Sequence, residues 1–187
     1  MSESVDEKVP PKSVSGTIHH AGAGAVSLIG AIWGTREIDS LLMDEAEDQI
    51  RRAISFGSPP QGPEEERLQA RALAVAIMAC KAALEGWANR ILVKQYPVTW
   101  SKSKIQDTAF AAKWEKIIDT LPGYTWDKAK DPALSLDRIT KVRQLFEHFK
   151  AQPVQLGSAN DPFQSISDVQ PWITVARQVM KDTEHLT

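Results

Sequence analysis

The stretch ARALAVAIMACKAALEGWANRIL, Ala70–Leu92, decides the fold of this chain. Its apolar residues cover almost the whole circumference of a helix, and it shows no alternation of the kind that a strand requires. A helix that is apolar on every side is one that other helices surround. The sequence therefore predicts a central helix from about 64 to 93, whose first residues are three glutamates suited to the positive end of the helix dipole.

A stripe of polar residues interrupts this apolar helix. Lys81, Glu85 and Asn89 are spaced by four, so they form one polar stripe along it. A carboxylate held among apolar neighbours needs a partner, and the stripe is therefore a candidate site.

The segments on both sides of the central helix also follow a period near 3.6 residues. This pattern predicts further helices over about 37–55, 105–121, 135–153 and 167–186, and thus an all-α bundle of about five helices. In the first of them, the apolar residues expected to face inward are Ile38, Leu41, Leu42, Ala46, Ile50, Ala53 and Ile54.

Length and composition favour one globular domain. The chain has 187 residues, 42% of them hydrophobic, and a net charge of −2, so the whole surface does not attract nucleic acid and any RNA contact has to be local. Residues 1–17 are polar enough to predict a disordered leader, which leaves 18–187 as the helical domain.

Cysteine usage and apolar runs predict a cytoplasmic protein without a membrane segment. The single cysteine, Cys80, cannot form an internal disulfide and is expected to be a small buried hydrophobe. The Gly-rich run 21–34 is too short to span a bilayer.

No cofactor or metal site is predicted. Gly22, Gly24 and Gly30 lack the spacing of a nucleotide loop, and no Walker lysine follows them. The four histidines have no carboxylate or cysteine at metal-ligand spacing.

The helix predicted over 135–153 carries an arginine in an unexpected place. In KVRQLFEHFKAQP, Lys141–Pro153, helical spacing puts Arg143 inside the apolar arc. Removing the partner of a buried charge costs about 3–5 kcal/mol, so we expect Arg143 to have a buried acceptor, and our hypothesis is Glu85. The alternative is a surface ion pair with Glu147, one helical turn away.

Two sequence elements together resemble the HEPN domain family. One is A-A-L-E-G-W-A-N, which contains Glu85 and Asn89 at E-x-x-x-N spacing, and the other is R-Q-L-F-E-H, from Arg143 to His148. Phe149 and Lys150 then follow, as in many members of the family. The likeness extends over a core of about 64–183. The residue after the arginine is Gln144, where the family usually has asparagine.

The resemblance implies a homodimer that brings two such motifs into one cleft, where many members are similar to metal-independent ribonucleases. Histidine titrates near neutral pH and can move a proton, whereas arginine stays charged and binds phosphate in a fork. His148 and Arg143 are thus the expected catalytic residues. The expected supporting residues are Glu85, Asn89 and Gln144, and Lys141 and Lys150 are the expected RNA contacts.

The family also implies a biological setting in phage defence or as a toxin, with an antitoxin or regulatory protein as partner. Some HEPN-like domains resemble nucleotide-binding or protein-interaction modules that do not cleave RNA. A non-catalytic module of that kind is the alternative function, and an unrelated helical protein is the third.

Overall fold

A computed structural model describes residues 35–57, 59–97, 102–148 and 166–187, with side chains for 38–57, 59–97, 104–144 and 166–187. The described part of the chain is an all-α helical bundle, as the sequence predicts. Its elements are α1 (Thr35–Ser55), α2 (Pro63–Gln95), α3 (Lys102–Asp107), α4 (Phe110–Ile118), α5 (Ala133–His148), α6 (Ile166–Asp182) and a 3₁₀ turn (Glu184–Leu186). The leader 1–17, the Gly-rich run 21–34 and the end of the predicted 135–153 helix lie outside the described residues.

The central position of α2 is confirmed. It begins with Pro63, whose missing N–H is not needed in the first turn, and continues with the three glutamates. It packs against α1, α4, α5 and α6. Cys80 is fully buried in it, as expected.

The inward face predicted for α1 is partly wrong. Ile38, Leu41 and Ile54 are exposed, and Leu42 is only half-buried. The residues that do face α2 follow a spacing of four and three along one side, and they are Asp39, Met43, Ala46, Ile50 and Ala53. Asp39 takes one position on this buried face, and the neighbouring Ile38 and Leu41 are turned toward solvent.

Asp39 has room in that place because its carboxylate lies directly against Gly86 of α2. A Cβ atom built on Gly86 would lie 2.1 Å from Asp39 Oδ1. The carboxylate is paired with Arg90 at 2.6 Å. Burial raises the pKa of Asp39, while the charge of Arg90 lowers it. A glycine in α2 thus makes room for a buried ion pair between the two helices.

The single helix predicted over 105–121 is two helices. The chain leaves helical geometry at Ala109, with φ −59° and ψ 143°, and the Thr108 hydroxyl donates back to the Lys104 carbonyl at 2.6 Å. Such a local side-chain bond competes with the helix ladder. The break lets α4 take its own direction against α2 and bury Phe110, Trp114, Ile117 and Ile118.

Side-chain hydrogen bonds stabilise the start of α5 and the end of α6. Asp131 accepts hydrogen bonds from the backbone N–H of Ser135 at 3.3 Å and from its hydroxyl at 2.6 Å, and so satisfies an N–H group in the first turn of α5. This helix begins at Ala133, close to the predicted start. Beyond α6, the indole N–H of Trp87 donates to the Thr183 hydroxyl at 2.9 Å. No helix in the described ranges is long and apolar enough to cross a membrane.

Candidate functional site

The polar stripe of α2 is the centre of a charged cluster. Lys81 Nζ donates to Glu85 Oε2 at 2.7 Å, within the stripe. Lys113 of α4 reaches the other carboxylate oxygen, with its Nζ 3.5 Å from Glu85 Oε1. We call these three residues the lysine–glutamate cluster.

The two lysines of the cluster are buried and the carboxylate is not. The side chains of Lys81 and Lys113 are 3% and 2% exposed, and that of Glu85 is 39% exposed. The ammonium of Lys81 also lies 3.8 Å from the centre of the Phe110 ring, a cation–π contact. The cluster therefore has a buried cationic floor and reaches solvent at Glu85.

Burial and neighbouring charges shift the pKa values of Lys81 and Glu85. Burial lowers the pKa of Lys81, and the charges of Arg143 and Lys113 lower it further, whereas the hydrogen bond to Glu85 raises it. For Glu85, burial alone would raise the pKa, but the hydrogen bonds and charges of the two lysines outweigh burial and lower it. Glu85 is thus held as a carboxylate beside a buried lysine whose pKa is lowered.

Arg143 lies close to this cluster. It is half-buried on α5, α5 packs on α2, and its charge acts on Lys81. The two sequence elements that resemble the HEPN family lie on α2 and α5, two helices that pack against each other. The described contacts of Glu85 are with the two lysines, and a direct pairing of Arg143 with Glu85 stays a prediction.

The remaining predicted site residues are distributed around this contact. Asn89 follows Glu85 by one turn, and its Oδ1 is buried without a hydrogen-bond partner among the described residues. Gln144 is exposed. Lys141 is exposed and forms an ion pair with Asp137 at 2.6 Å. His148 is the last residue of α5, but its side chain lies outside the described residues, as does all of Lys150.

Sequence reasoning missed Lys113, although the signal was available. Phe110, Lys113, Trp114 and Ile117 recur at the spacing of one helix face. The lysine therefore falls inside an apolar arc, which is the same observation that singled out Arg143. Applied to the 105–121 segment, this reasoning would have found it.

The arrangement is suited to binding an oxyanion. Ammonium groups donate hydrogen bonds to phosphate and carboxylate oxygens, and such charge-assisted bonds are the stronger ones. Across the described ranges, no group of three or more His, Cys, Asp or Glu side chains could hold a metal ion. Comparisons with known protein families, curated proteins and solved structures found no significant match.

Proposed function

We propose that this protein is a HEPN-like, metal-independent endoribonuclease in which Arg143 and His148 act in the cleft of a homodimer. The observation that supports it is the packing of α5, which carries Arg143, against α2, which carries Glu85. Glu85 and Arg143 are far apart in the sequence, and the resemblance to the family requires their two elements to meet.

The proposed reaction is a transesterification. The ribose 2′-oxygen attacks the adjacent phosphorus and gives up its proton to His148, the bond from phosphorus to the 5′-oxygen breaks, and the leaving oxygen takes a proton. The products are a 2′,3′-cyclic phosphate and a 5′-hydroxyl. His148 moves a proton near neutral pH, and Arg143 offsets the charge that develops on the phosphate oxygens.

The supporting residues act through these two. Glu85 and Asn89 lie on the helix against which α5 packs, so they position the arginine and do not react. Lys141 and Lys150 contact the RNA backbone beside the motif. An antitoxin or regulatory protein would control such an enzyme in the cytoplasm, in phage defence or a toxin–antitoxin pair.

A second candidate function is a non-catalytic module that binds RNA, a nucleotide or a protein. The exposed position of Gln144 favours it, because the amide that follows the motif arginine is turned toward solvent. Both oxygens of Glu85 are also contacted by lysines, which suits a binding cluster as well as a catalytic one.

The deciding experiment incubates purified protein with unstructured RNA in EDTA. Wild type is compared with Arg143→Ala and His148→Ala, and Arg138→Ala is the control because Arg138 is an exposed arginine of the same helix. We expect cleavage by wild type and the Arg138 variant only, with 2′,3′-cyclic phosphate ends and a dimer in light scattering. Cleavage that persists in both motif variants would exclude this site, and no cleavage by any of them together with RNA binding would favour the second function.

A further inference from the structure

We propose that Lys81 and Lys113 form a phosphate-binding subsite for the backbone of single-stranded RNA, and that Glu85 occupies this subsite in the free protein. The inference rests on the proposed function, since it takes RNA as the ligand. It adds Lys113, a residue of α4, to the residues that contact substrate.

Charge balance is the first argument. Two ammonium groups share one carboxylate, and neither lysine has another anionic partner among the described residues. One buried positive charge is therefore not compensated within the cluster. An anion bound beside the lysines would compensate it, because the cost of a buried charge falls when it is paired and hydrogen-bonded.

Hydrogen-bond capacity is the second argument. Each ammonium carries three donors. Among the described residues, Lys113 makes one long contact, at 3.5 Å, and Lys81 makes one hydrogen bond, at 2.7 Å, with its remaining interaction directed at the Phe110 ring. Both ammonium groups can donate further hydrogen bonds to oxygen atoms, and a phosphate supplies more of these acceptors than a carboxylate.

Access is the third argument. Glu85 is the member of the cluster that reaches solvent, and Ala82, one turn before it, is also exposed. An RNA phosphate would approach from this side and displace the Glu85 side chain, which rotates outward, while the lysines stay in place. The carboxylate is then a competitor that keeps the lysines hydrogen-bonded until RNA binds.

The position of Arg143 agrees with this assignment. Arg143 lies on α5, which packs on the helix of Lys81, so a phosphate at the two lysines would be on the same helix contact as the residue proposed to stabilise the transition state. The subsite would therefore hold a phosphate near the scissile bond and position the strand for Arg143.

The test measures the affinity for a short single-stranded RNA, 2′-O-methylated so that it cannot be cut, by fluorescence anisotropy over a series of salt concentrations. The variants are Lys113→Met and the control Lys116→Met, which lies on the same helix but is exposed. We expect Lys113→Met to weaken binding about tenfold or more. The slope of log affinity against log salt should become shallower by about 0.7, the value for one lost contact to a single strand. Lys116→Met should bind like wild type.

A second variant tests the role of Glu85. Glu85→Gln keeps the shape of the side chain and removes the competing charge, so it should bind the methylated RNA at least as tightly as wild type. Equal affinity of Lys113→Met and wild type would overturn the proposal, and so would an equal loss in Lys116→Met or a loss of binding in Glu85→Gln.

Failure of the two proposals can be told apart with unmodified RNA. If wild type leaves it intact but binds the methylated strand through Lys113, the ribonuclease proposal fails and the subsite stands. If it is cut, and Lys113→Met binds and cuts like wild type, the subsite fails and the ribonuclease proposal stands.

Discussion

Lys113 of α4 and Glu85 of α2 are joined across the helix contact, with Nζ 3.5 Å from Oε1, although 28 residues separate them in the chain. Glu85 is also bonded to Lys81 on its own helix. One carboxylate thus stabilises two buried ammonium groups on two helices, and its removal should affect the cluster more than the removal of either lysine.

We expect Glu85→Gln to lower the free energy of unfolding at neutral pH by about 1–3 kcal/mol. Breaking a buried pair costs more, but Glu85 is 39% exposed and solvent screens part of its interaction. Lys113→Met should cost less than about 1 kcal/mol, because it leaves the Lys81–Glu85 pair balanced and replaces a buried charge by an apolar chain. Urea unfolding of both variants measures the contrast, and the reverse order would contradict it.

The same interaction predicts a dependence on acid pH. The pKa of Glu85 in the folded protein is below its usual value of 4.5, so its contribution is fully present above pH 4.5 and is lost as the pH falls through the lowered pKa. The stability difference between wild type and Glu85→Gln should shrink over that range. A difference that stays constant from pH 7 to well below pH 4.5 would show that the charge of Glu85 does not stabilise the fold.

On the alkaline side, Lys81 should also make the stability rise with pH. Its pKa in the folded protein is lower than 10.5, so between the lowered pKa and 10.5 the unfolded chain binds more protons than the folded one. Stability from this group therefore rises as the pH increases through that window. Lys81→Met should remove this rise in urea unfolding followed from neutral pH to about pH 10, and an unchanged profile in the variant would contradict the assignment.

Gly86→Ala should destabilise the protein, although a glycine to alanine change inside a helix usually stabilises by about 0.5–1 kcal/mol. The new Cβ would lie 2.1 Å from Asp39 Oδ1, so the carboxylate would have to leave its place beside Arg90. We expect a loss of about 1–3 kcal/mol, the usual cost of overpacking. The control is Gly62→Ala at the N-cap of α2, where a Cβ has no neighbour within 4 Å and the expected loss is below about 1 kcal/mol, because alanine is a weaker N-cap than glycine. Thermal unfolding of both variants checks the contrast, and a more stable Gly86 variant would show that the Asp39 carboxylate does not lie against Gly86.

The sequence predicted the central helix and its polar stripe because both depend on periodicity within one helix. Lys81, Glu85 and Asn89 are neighbours through spacing alone, whatever packs on them. Lys113 reaches the stripe only through the packing of α4 on α2, and α4 begins after a break at Ala109. A local hydrogen bond from the Thr108 hydroxyl accompanies the break. The period of the apolar residues does not indicate such a bond.

The rotation of α1 was mispredicted for a related reason. Hydrophobic residues such as Leu41 and Ile54 mark an apolar side, but the buried side is set by the fit against α2. Gly86 leaves a space that Asp39 fills. The buried Asp39 is paired with Arg90 of α2, and the periodicity of α1 alone does not indicate a pair between two helices. A prediction that places every polar residue toward solvent therefore assigns the wrong buried face to α1.

The buried hydrogen bond between α2 and the end of α6 should depend on one hydroxyl group. Trp87 of α2 donates its indole N–H to Thr183, which is fully buried and follows α6. Thr183→Val keeps the shape of the side chain but leaves the indole N–H without an acceptor, and an unsatisfied buried donor costs about 1–3 kcal/mol. Thr174→Val is the matched control, because the Thr174 hydroxyl is exposed and bonds only to the Gln170 carbonyl of its own helix. We expect a change within about 0.5 kcal/mol for the control, and amide exchange that becomes faster after residue 179 in the Thr183 variant alone. Equal unfolding free energies for the two variants would mean that the hydrogen bond from Trp87 to Thr183 does not stabilise the fold.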